Sequence, residues 1–374
     1  MKFLIAADSF KDSLSAFEVG EAARDGILAA LPDAQIENSP MADGGEGTID
    51  ALLAGMAGEE REISVHDPLM NVIIARYAVL NEDTVFIESA RSSGLPLVPF
   101  NLRNPMNTNT YGLGEQIKNA VESGYRTIVI SLGGSATNDG GVGMLQGLGW
   151  KFYDNDGNLL GNEGNPLLKV ASFTDEDRIP ELEQCSFTIA SDVTNPFFGK
   201  NGAAHIFARQ KGAKDEDIVE LDAALRNLAG IFNSKYGLDL QSVEGSGAAG
   251  GLGGAIVAGL KGKLQSGVET IAGLTGLEEK VASADVIFTG EGSLDSQSLM
   301  GKVPVGVAKL AKKHGKKVIG IAGRVDTDLK EVNQYLDAVF SIQTECRTLE
   351  EALTKEVSGE QVRTTVEQIV RLIK

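Results

Sequence analysis

Phe3-Leu4-Ile5-Ala6-Ala7, followed at once by Asp8-Ser9-Phe10-Lys11, is the stretch from which the architecture can be read outward. Five apolar residues without alternation form the pattern of a strand buried on both faces of a parallel sheet. The polar residues end it. Ser15-Ala16-Phe17-Glu18 then has the form of a capping box, and Val19, Ala22, Ala23, Ile27 and Leu31 recur at helical spacing, which predicts a helix to about Pro32. The same order of strand, polar loop and helix returns near the other end. There Val286-Ile287-Phe288-Thr289 leads into a loop at 290–302, a helix opening at Pro304, a stop at Gly315 and a strand at 318–321. Val362, Val366, Ile369, Val370 and Ile373 make one apolar stripe on a last helix. Both ends therefore read as parts of one doubly wound, parallel-sheet α/β domain.

The middle has a different rhythm. Residues 62–65, 72–80 and 84–89 are three short strand-like runs separated by the turn signals Asp67-Pro68 and Asn81-Glu82-Asp83, which suits antiparallel hairpins. Further apolar runs at 127–131 and 187–190 end in polar loops. The expected organisation is a discontinuous Rossmann-like domain, 1–62 plus 285–374, with a second α/β domain inserted at 63–284. A length of 374 residues also favours two cores over one.

The formal net charge is -18, from 34 basic and 52 acidic residues. Such a balance speaks against nucleic acid or an anionic membrane as a partner, because both are polyanions. His66, His205 and His314 lie far apart, and Cys185 and Cys346 lack metal-ligand spacing, so neither a structural zinc site nor a redox dithiol is expected. The first apolar run is too short for a signal peptide and no run approaches the length of a membrane span, which makes a cytoplasmic location the expectation. There is no G-x-x-x-x-G-K-[ST], no H-R-D or D-F-G, and no G-x-S-x-G. P-loop, protein-kinase and hydrolase-elbow machinery are thereby excluded.

Four stretches combine glycine with acids, amides or hydroxyls: Asp43-Gly44-Gly45-Glu46-Gly47-Thr48, Gly133-Gly134-Ser135-Ala136-Thr137-Asn138-Asp139-Gly140-Gly141, residues 245–254, and Gly290-Glu291-Gly292-Ser293-Leu294-Asp295. Glycine lets backbone N–H groups approach an anion closely, so such loops suggest a phosphate ligand held by main chain, and the acids beside them suggest a metal. In open α/β sheets ligands collect beyond the carboxyl ends of strands. Asp8, Ser9 and Lys11 hold that position after the first strand; Gly133 to Asp139, then Ser191, Asp192 and Asn195, then Gly290, Glu291 and Asp295 hold it after later ones. The 43–48 loop precedes a helix and places N–H groups at its N-terminus, a ready anion site. Gly245-Ser246-Gly247-Ala248-Ala249-Gly250 matches the dinucleotide fingerprint, but no buried strand leads into it; close packing and approach to a nucleotide stay equally open.

Six blocks, in order, resemble the bacterial type I glycerate kinases: Asp8-Ser9-Phe10-Lys11-Asp12-Ser13-Leu14-Ser15-Ala16, Pro40-Met41-Ala42-Asp43-Gly44-Gly45-Glu46-Gly47-Thr48, Leu132-Gly133-Gly134-Ser135-Ala136-Thr137-Asn138-Asp139-Gly140-Gly141, Ser191-Asp192-Val193-Thr194-Asn195-Pro196, Gln210-Lys211-Gly212-Ala213 and Thr289-Gly290-Glu291-Gly292-Ser293-Leu294-Asp295-Ser296-Gln297. Two positions depart from the pattern, Asp12 where glycine or glutamate is expected and Ser293 where arginine is expected. The resemblance implies two α/β domains around a cleft that holds the active site, and ATP-dependent phosphorylation of D-glycerate to 2-phosphoglycerate with Mg²⁺.

In that setting Lys11 and Lys211 are expected to face phosphate oxygens, with backbone N–H groups from Gly133, Gly134 and Ser135 or from Gly44 and Gly45. Asp192 is the expected general base, and Asp43 and Glu291 the metal-binding acids. Arg91, just after the 84–89 run, is the candidate for the substrate carboxylate. Asp8, Ser9, Asn138, Asp139, Asn195, Gly290 and Gly292 complete the expected substrate or phosphate contacts. Two rival functions remain open: a nucleotide-dependent hydroxy-acid dehydrogenase resting on 245–250, and a non-catalytic sensor of a small acid on the same fold.

Overall fold

The computed structural model describes residues 1–299 and 301–374, without the side chains of Ser296 and Gln297. Its strands, in chain order, are β1 (Lys2–Ile5), β2 (Gln35–Asn38), β3 (Glu59–His66), β4 (Val72–Val79), β5 (Thr84–Glu88), β6 (Thr127–Ser131), β7 (Lys151–Tyr153), β8 (Ser172–Thr174), β9 (Ser186–Ala190), β10 (Lys263–Gln265), β11 (Val286–Leu294), β12 (Lys317–Val325) and β13 (Ala338–Ser341). The chain divides into two compact units. Unit 1 comprises Met1–Asp43, Asp50–Ala57 and Ser266–Lys374; unit 2 comprises Gly44–Ile49 and Gly58–Gln265.

Unit 1 is built on a five-stranded sheet of order β13-β12-β11-β1-β2, parallel throughout. From β1 the chain moves outward to β2, whereas β11, β12 and β13 step outward on the other side. The β1/β11 boundary is therefore the switch point at which a sheet of this kind opens a crevice beyond its carboxyl ends. The helix Ala16–Ala30 starts at the expected capping box, Ser15 Oγ accepting from the Glu18 N–H and Glu18 from the Ser15 N–H. It packs on the last helix, Lys355–Ile373, and the approach is close: a Cβ at Gly26 would lie 2.3 Å from the Arg363 carbonyl oxygen. Phe3, Ile5, Val19, Ile27, Phe288, Val362 and Val366 share one core. Each such side chain contributes roughly 1.5–3 kcal/mol by leaving water.

One expectation is corrected here. The glycines at 290 and 292 do not open a loop after Thr289, since β11 stays paired with β12 as far as Leu294 opposite Val325. The reason is room: a Cβ at Gly290 would meet the Ile321 carbonyl oxygen at 2.3 Å, so glycine is what lets the strand continue in the sheet. The expected helix after it is present as Val303–Lys313, with proline in its first turn. The stretch 266–284 gathers with unit 1, where Val268 of the helix Gly267–Leu274 packs against Gly306. Two short helices before a strand carry no signal of which sheet they cover, so sequence had no handle on that boundary.

Unit 2 carries a six-stranded sheet of order β10-β9-β6-β5-β4-β3 and a small antiparallel pair, β7 with β8. β3, β4 and β5 are antiparallel, as the turn signals imply, while β5, β6, β9 and β10 run parallel. All five residues of β5 are buried, and β3, at the sheet edge, is largely not. Ile87, Ile117, Ile130, Leu145, Phe152, Leu225, Phe232 and Ile256 lie in its core. No helix among the described residues is long and apolar enough to cross a membrane.

Candidate active site

Unit 1 brings three carboxyl groups together at its switch point. β1 delivers Asp8, whose N–H donates to the Gly290 carbonyl on β11 at 2.8 Å, and Asp8 Oδ1 accepts from the Ser9 N–H at 2.6 Å. Burial, then the charge of Asp43 and, more weakly, that of Glu291, pushes the Asp8 carboxyl up to about 7, against the pull of the Ser9 hydrogen bonds. Glu291 is itself buried, and burial raises it too; the Ser298 hydroxyl and Lys302, whose Nζ lies 3.2 Å from Oε2, work in the opposite direction. Like charges so placed favour an incoming cation.

Lys11 stands on a tight turn beside this group. Phe10 and Leu14 exchange N–H to carbonyl bonds of 2.8 and 2.9 Å, which leaves Lys11 exposed at the tip and Asp12 at φ +65°. A left-handed position is one that glycine fills at least cost, which accounts for the glycine expected at 12. A Cβ at Gly292 would come within 3.3 Å of the Lys11 backbone nitrogen. Asp8, Ser9, Lys11, Asp43, Glu291, Gly290 and Gly292 thus all lie in unit 1.

The remaining candidates lie in unit 2, most at the ends of β5, β6 and β9. Gly133 follows β6 and sits against the 44–45 turn, a Cβ there falling 3.1 Å from Gly45 Cα. Gly134 has φ +66°, and Ser135 Oγ pairs with Thr137 Oγ1 at 2.9 Å. Asn138 is fully buried, and neither its amide nitrogen nor its amide oxygen has a hydrogen-bond partner. Asp192 lies, half-buried, just after β9, and the Asn195 amide donates to the Asn201 carbonyl at 2.9 Å.

Two charged candidates are held by the fold itself. Asp139 is buried and accepts from the Thr110 N–H and hydroxyl, both at 2.8 Å, and from the Gly141 and Gly143 N–H groups, both at 3.1 Å; burial still pushes its carboxyl up. Lys211 is buried as well and donates from Nζ to the Thr137 carbonyl at 2.6 Å. Burial lowers it to about 7, the charge of Asp139 notwithstanding. The ammonium thus has a partner within the 133–141 loop. At the start of the helix Thr48–Gly55 the Ile49 N–H donates to Glu88 Oε1 at 2.8 Å.

The fingerprint-like stretch serves packing. No strand leads into it; the helix Ala248–Leu260 is broken near its start, with Ala249, Gly250 and Gly251 all at positive φ. A Cβ at Gly250 would lie 2.2 Å from the Thr137 carbonyl, and the Gly140 N–H donates to the Gly250 carbonyl at 3.0 Å. The stretch is a backbone buttress beneath the 133–141 loop.

Sequence reasoning missed Glu88, Ser298, Lys302 and Thr110. Glu88 ends β5 and obeys the same strand-end rule that selected the others. The rest are identified only by their contacts. A surface cavity of about 360 Å³ lined by Tyr111, Glu115, Lys118 and Asn119 contains none of the candidates. Among the described residues no group of three or more His, Cys, Asp or Glu side chains is arranged to hold a metal ion. Magnesium does not need such a cage, since it takes one or two carboxylates and completes its shell with phosphate and water. The crowded acids of unit 1 fit that donor chemistry.

The comparisons agree with the geometry. The family model described as "Glycerate kinase family" matches residues 3–374. The glycerate 2-kinase of Escherichia coli K12 is 46% identical, over 94% of this chain and 93% of its own length. The glycerate kinase of Bacillus cereus is 41% identical over 100% and 98%. A crystal structure assigned as a glycerate kinase 2 from Salmonella typhimurium LT2 superposes with a TM-score of 0.90 at 41% identity, covering 100% of this chain and 98% of that one. The resemblance read from the six blocks is borne out along the whole chain: it is a kinase that belongs to the glycerate kinase family.

Proposed function

We propose that this protein phosphorylates D-glycerate with ATP and Mg²⁺, giving 2-phosphoglycerate. Besides the family, the observation that carries the reading is the group Asp8, Asp43 and Glu291 at the switch point of unit 1, with Lys302 and the exposed Lys11 on neighbouring turns. A carboxyl raised by burial and by the charge of neighbouring acids, as Asp8 is, is costly to ionise unless a cation arrives, and magnesium nucleotide brings one. When bound, magnesium would neutralise charge on the phosphates, with Asp43, Glu291 and Asp8 as its protein partners, directly or through water.

Phosphoryl transfer leaves positioning, charge neutralisation and one proton to the protein. Lys11 is assigned to phosphate oxygens. Backbone N–H groups of Gly133, Gly134 and Ser135, or of Gly44 and Gly45, are assigned to an anionic oxygen, and Arg91 to the glycerate carboxylate. Asp192 is assigned to take the hydroxyl proton. A specific observation favours Asp8 as an alternative base: a carboxyl that titrates at about 7 is poised for proton transfer at neutral pH.

The dehydrogenase alternative loses its support with the fingerprint, which is occupied by the 137–140 backbone. A coupled ADP-release assay with D-glycerate tests the activity, and phosphorus NMR of the product tests its position. Turnover without 2-phosphoglycerate would refute the regiochemistry; no ADP release would refute the kinase. Asp192→Asn is expected to lower kcat by about 10²–10⁴-fold at saturating substrates. Normal turnover of that variant would refute Asp192 as the base.

A further inference from the structure

The carboxylate of Glu88 joins two pieces of unit 2 that are far apart in sequence. Oε1 accepts the Ile49 N–H at 2.8 Å, at the start of the helix that follows the 44–48 glycine turn, and Oε2 accepts Arg91 Nε at 2.8 Å. Glu88 is 2% exposed while the Arg91 side chain is 34% exposed, so the acid is buried and the guanidinium reaches the surface. The third piece, Gly133, rests on the 44–45 peptide, and Glu88 stands beside Ser131 in the β5/β6 register. Two hydroxyls flanking Arg91, Ser89 Oγ and Ser93 Oγ, are buried without a hydrogen-bond partner.

We infer that Glu88 is a positioning residue for substrate: by gripping Nε it aims the outer edge of the Arg91 guanidinium, and by gripping Ile49 it fixes the glycine turn and Arg91 in one frame that receives the carboxylate of a small hydroxy acid. Guanidinium binds a carboxylate well only when its planar fork is held in register, and a buried acid behind Nε supplies that constraint. The inference rests on the glycerate kinase reading given above.

The test compares KM for D-glycerate, KM for ATP, kcat and the thermal midpoint in the wild type, Glu88→Gln, Arg91→Lys and the double variant. Glu88→Gln keeps the shape and an oxygen for Ile49 but sets an amide against Nε. It is expected to raise KM for D-glycerate at least tenfold with KM for ATP unchanged within twofold. The double variant is expected to be no worse for D-glycerate than Arg91→Lys, because Glu88 acts through that guanidinium. A KM for D-glycerate within twofold of wild type, an equal rise in both KM values, or losses that multiply in the double variant would each overturn the inference. If Glu88→Gln does not fold, Glu88→Asp, which keeps the charge but cannot span both partners, is read by the same criteria. A wild type that releases no ADP with D-glycerate overturns the kinase reading itself, and is thereby told apart from failure of Glu88 alone.

Discussion

Two groups of buried charge in this protein are built on opposite terms. Around Asp139 in unit 2 the oxygens meet two N–H groups of the following turn, one N–H of Thr110 and its hydroxyl, while Lys211 caps the Thr137 carbonyl. Around Asp8 in unit 1 the neighbours that matter are further acids, Asp43 and Glu291. The first arrangement uses charge to hold a loop in place. The second keeps charge unresolved where a ligand is expected to resolve it. Burial and a displaced pKa are common to both, so neither separates scaffold from site; the identity of the partners does.

The sharpest way to break this comparison is to neutralise each acid in turn. Asp139→Asn turns an acceptor into an amide that faces donors with its own N–H groups, and is expected to cost about 2–4 kcal/mol in urea unfolding. A loss below half a kilocalorie would deny Asp139 its scaffold role. Gly250→Ala attacks the same loop from below, forcing a Cβ against the Thr137 carbonyl at a φ of +73°; a loss of about 1–3 kcal/mol is expected from strain and crowding. Asp8→Asn should do the reverse, raising stability at pH 8 by about 1 kcal/mol while lowering turnover more than tenfold. A variant that loses both stability and activity would place Asp8 among the structural acids.

The pH dependence offers a finer version. Asp8 titrates at about 7 in the folded chain against an ordinary 3.8, so its contribution to stability is whole below about 4 and is lost as pH rises through 7. Lys211 is lowered from 10.5 to about 7, so its contribution is present at high pH and is lost as pH falls through 7. The two groups together predict a minimum of stability near neutrality, with limbs no steeper than about 1.4 kcal/mol per pH unit. Lys211→Met should flatten only the alkaline limb and Asp8→Asn only the acidic one, as followed by denaturant unfolding across pH 4 to 10. Flattening of the same limb by both would show that one assignment is misplaced.

Much of this was legible in the residues. The run Phe3-Leu4-Ile5, the capping box at Ser15 and the last apolar stripe were enough for the doubly wound sheet, because period and capping are local properties of sequence. Strand-end position placed Asp8 and Asp192 just beyond β1 and β9 for the same reason. What could not be read was partnership. Nothing in the sequence says that Lys211 turns inward to Thr137, that Glu88 answers Ile49, or that Gly250 lies under the 137–140 backbone, since each depends on segments 39 to 113 residues apart meeting in space. The glycines at 290 and 292 misled for a related reason, because a missing Cβ serves a crowded strand as well as an open loop.

The edge strand of the unit 2 sheet has a consequence for the protein in concentrated solution. β3 opens with Glu59-Glu60-Arg61-Glu62, and the opposite edge, β10, is only three residues long. An unpaired strand edge is a template on which a second chain can zip, and charge at one margin with brevity at the other blunts both templates. Replacing those glutamates with threonine or valine would keep the sheet and expose it to strand addition between molecules, so the acidic lip of β3 acts as a guard against fibrous self-association.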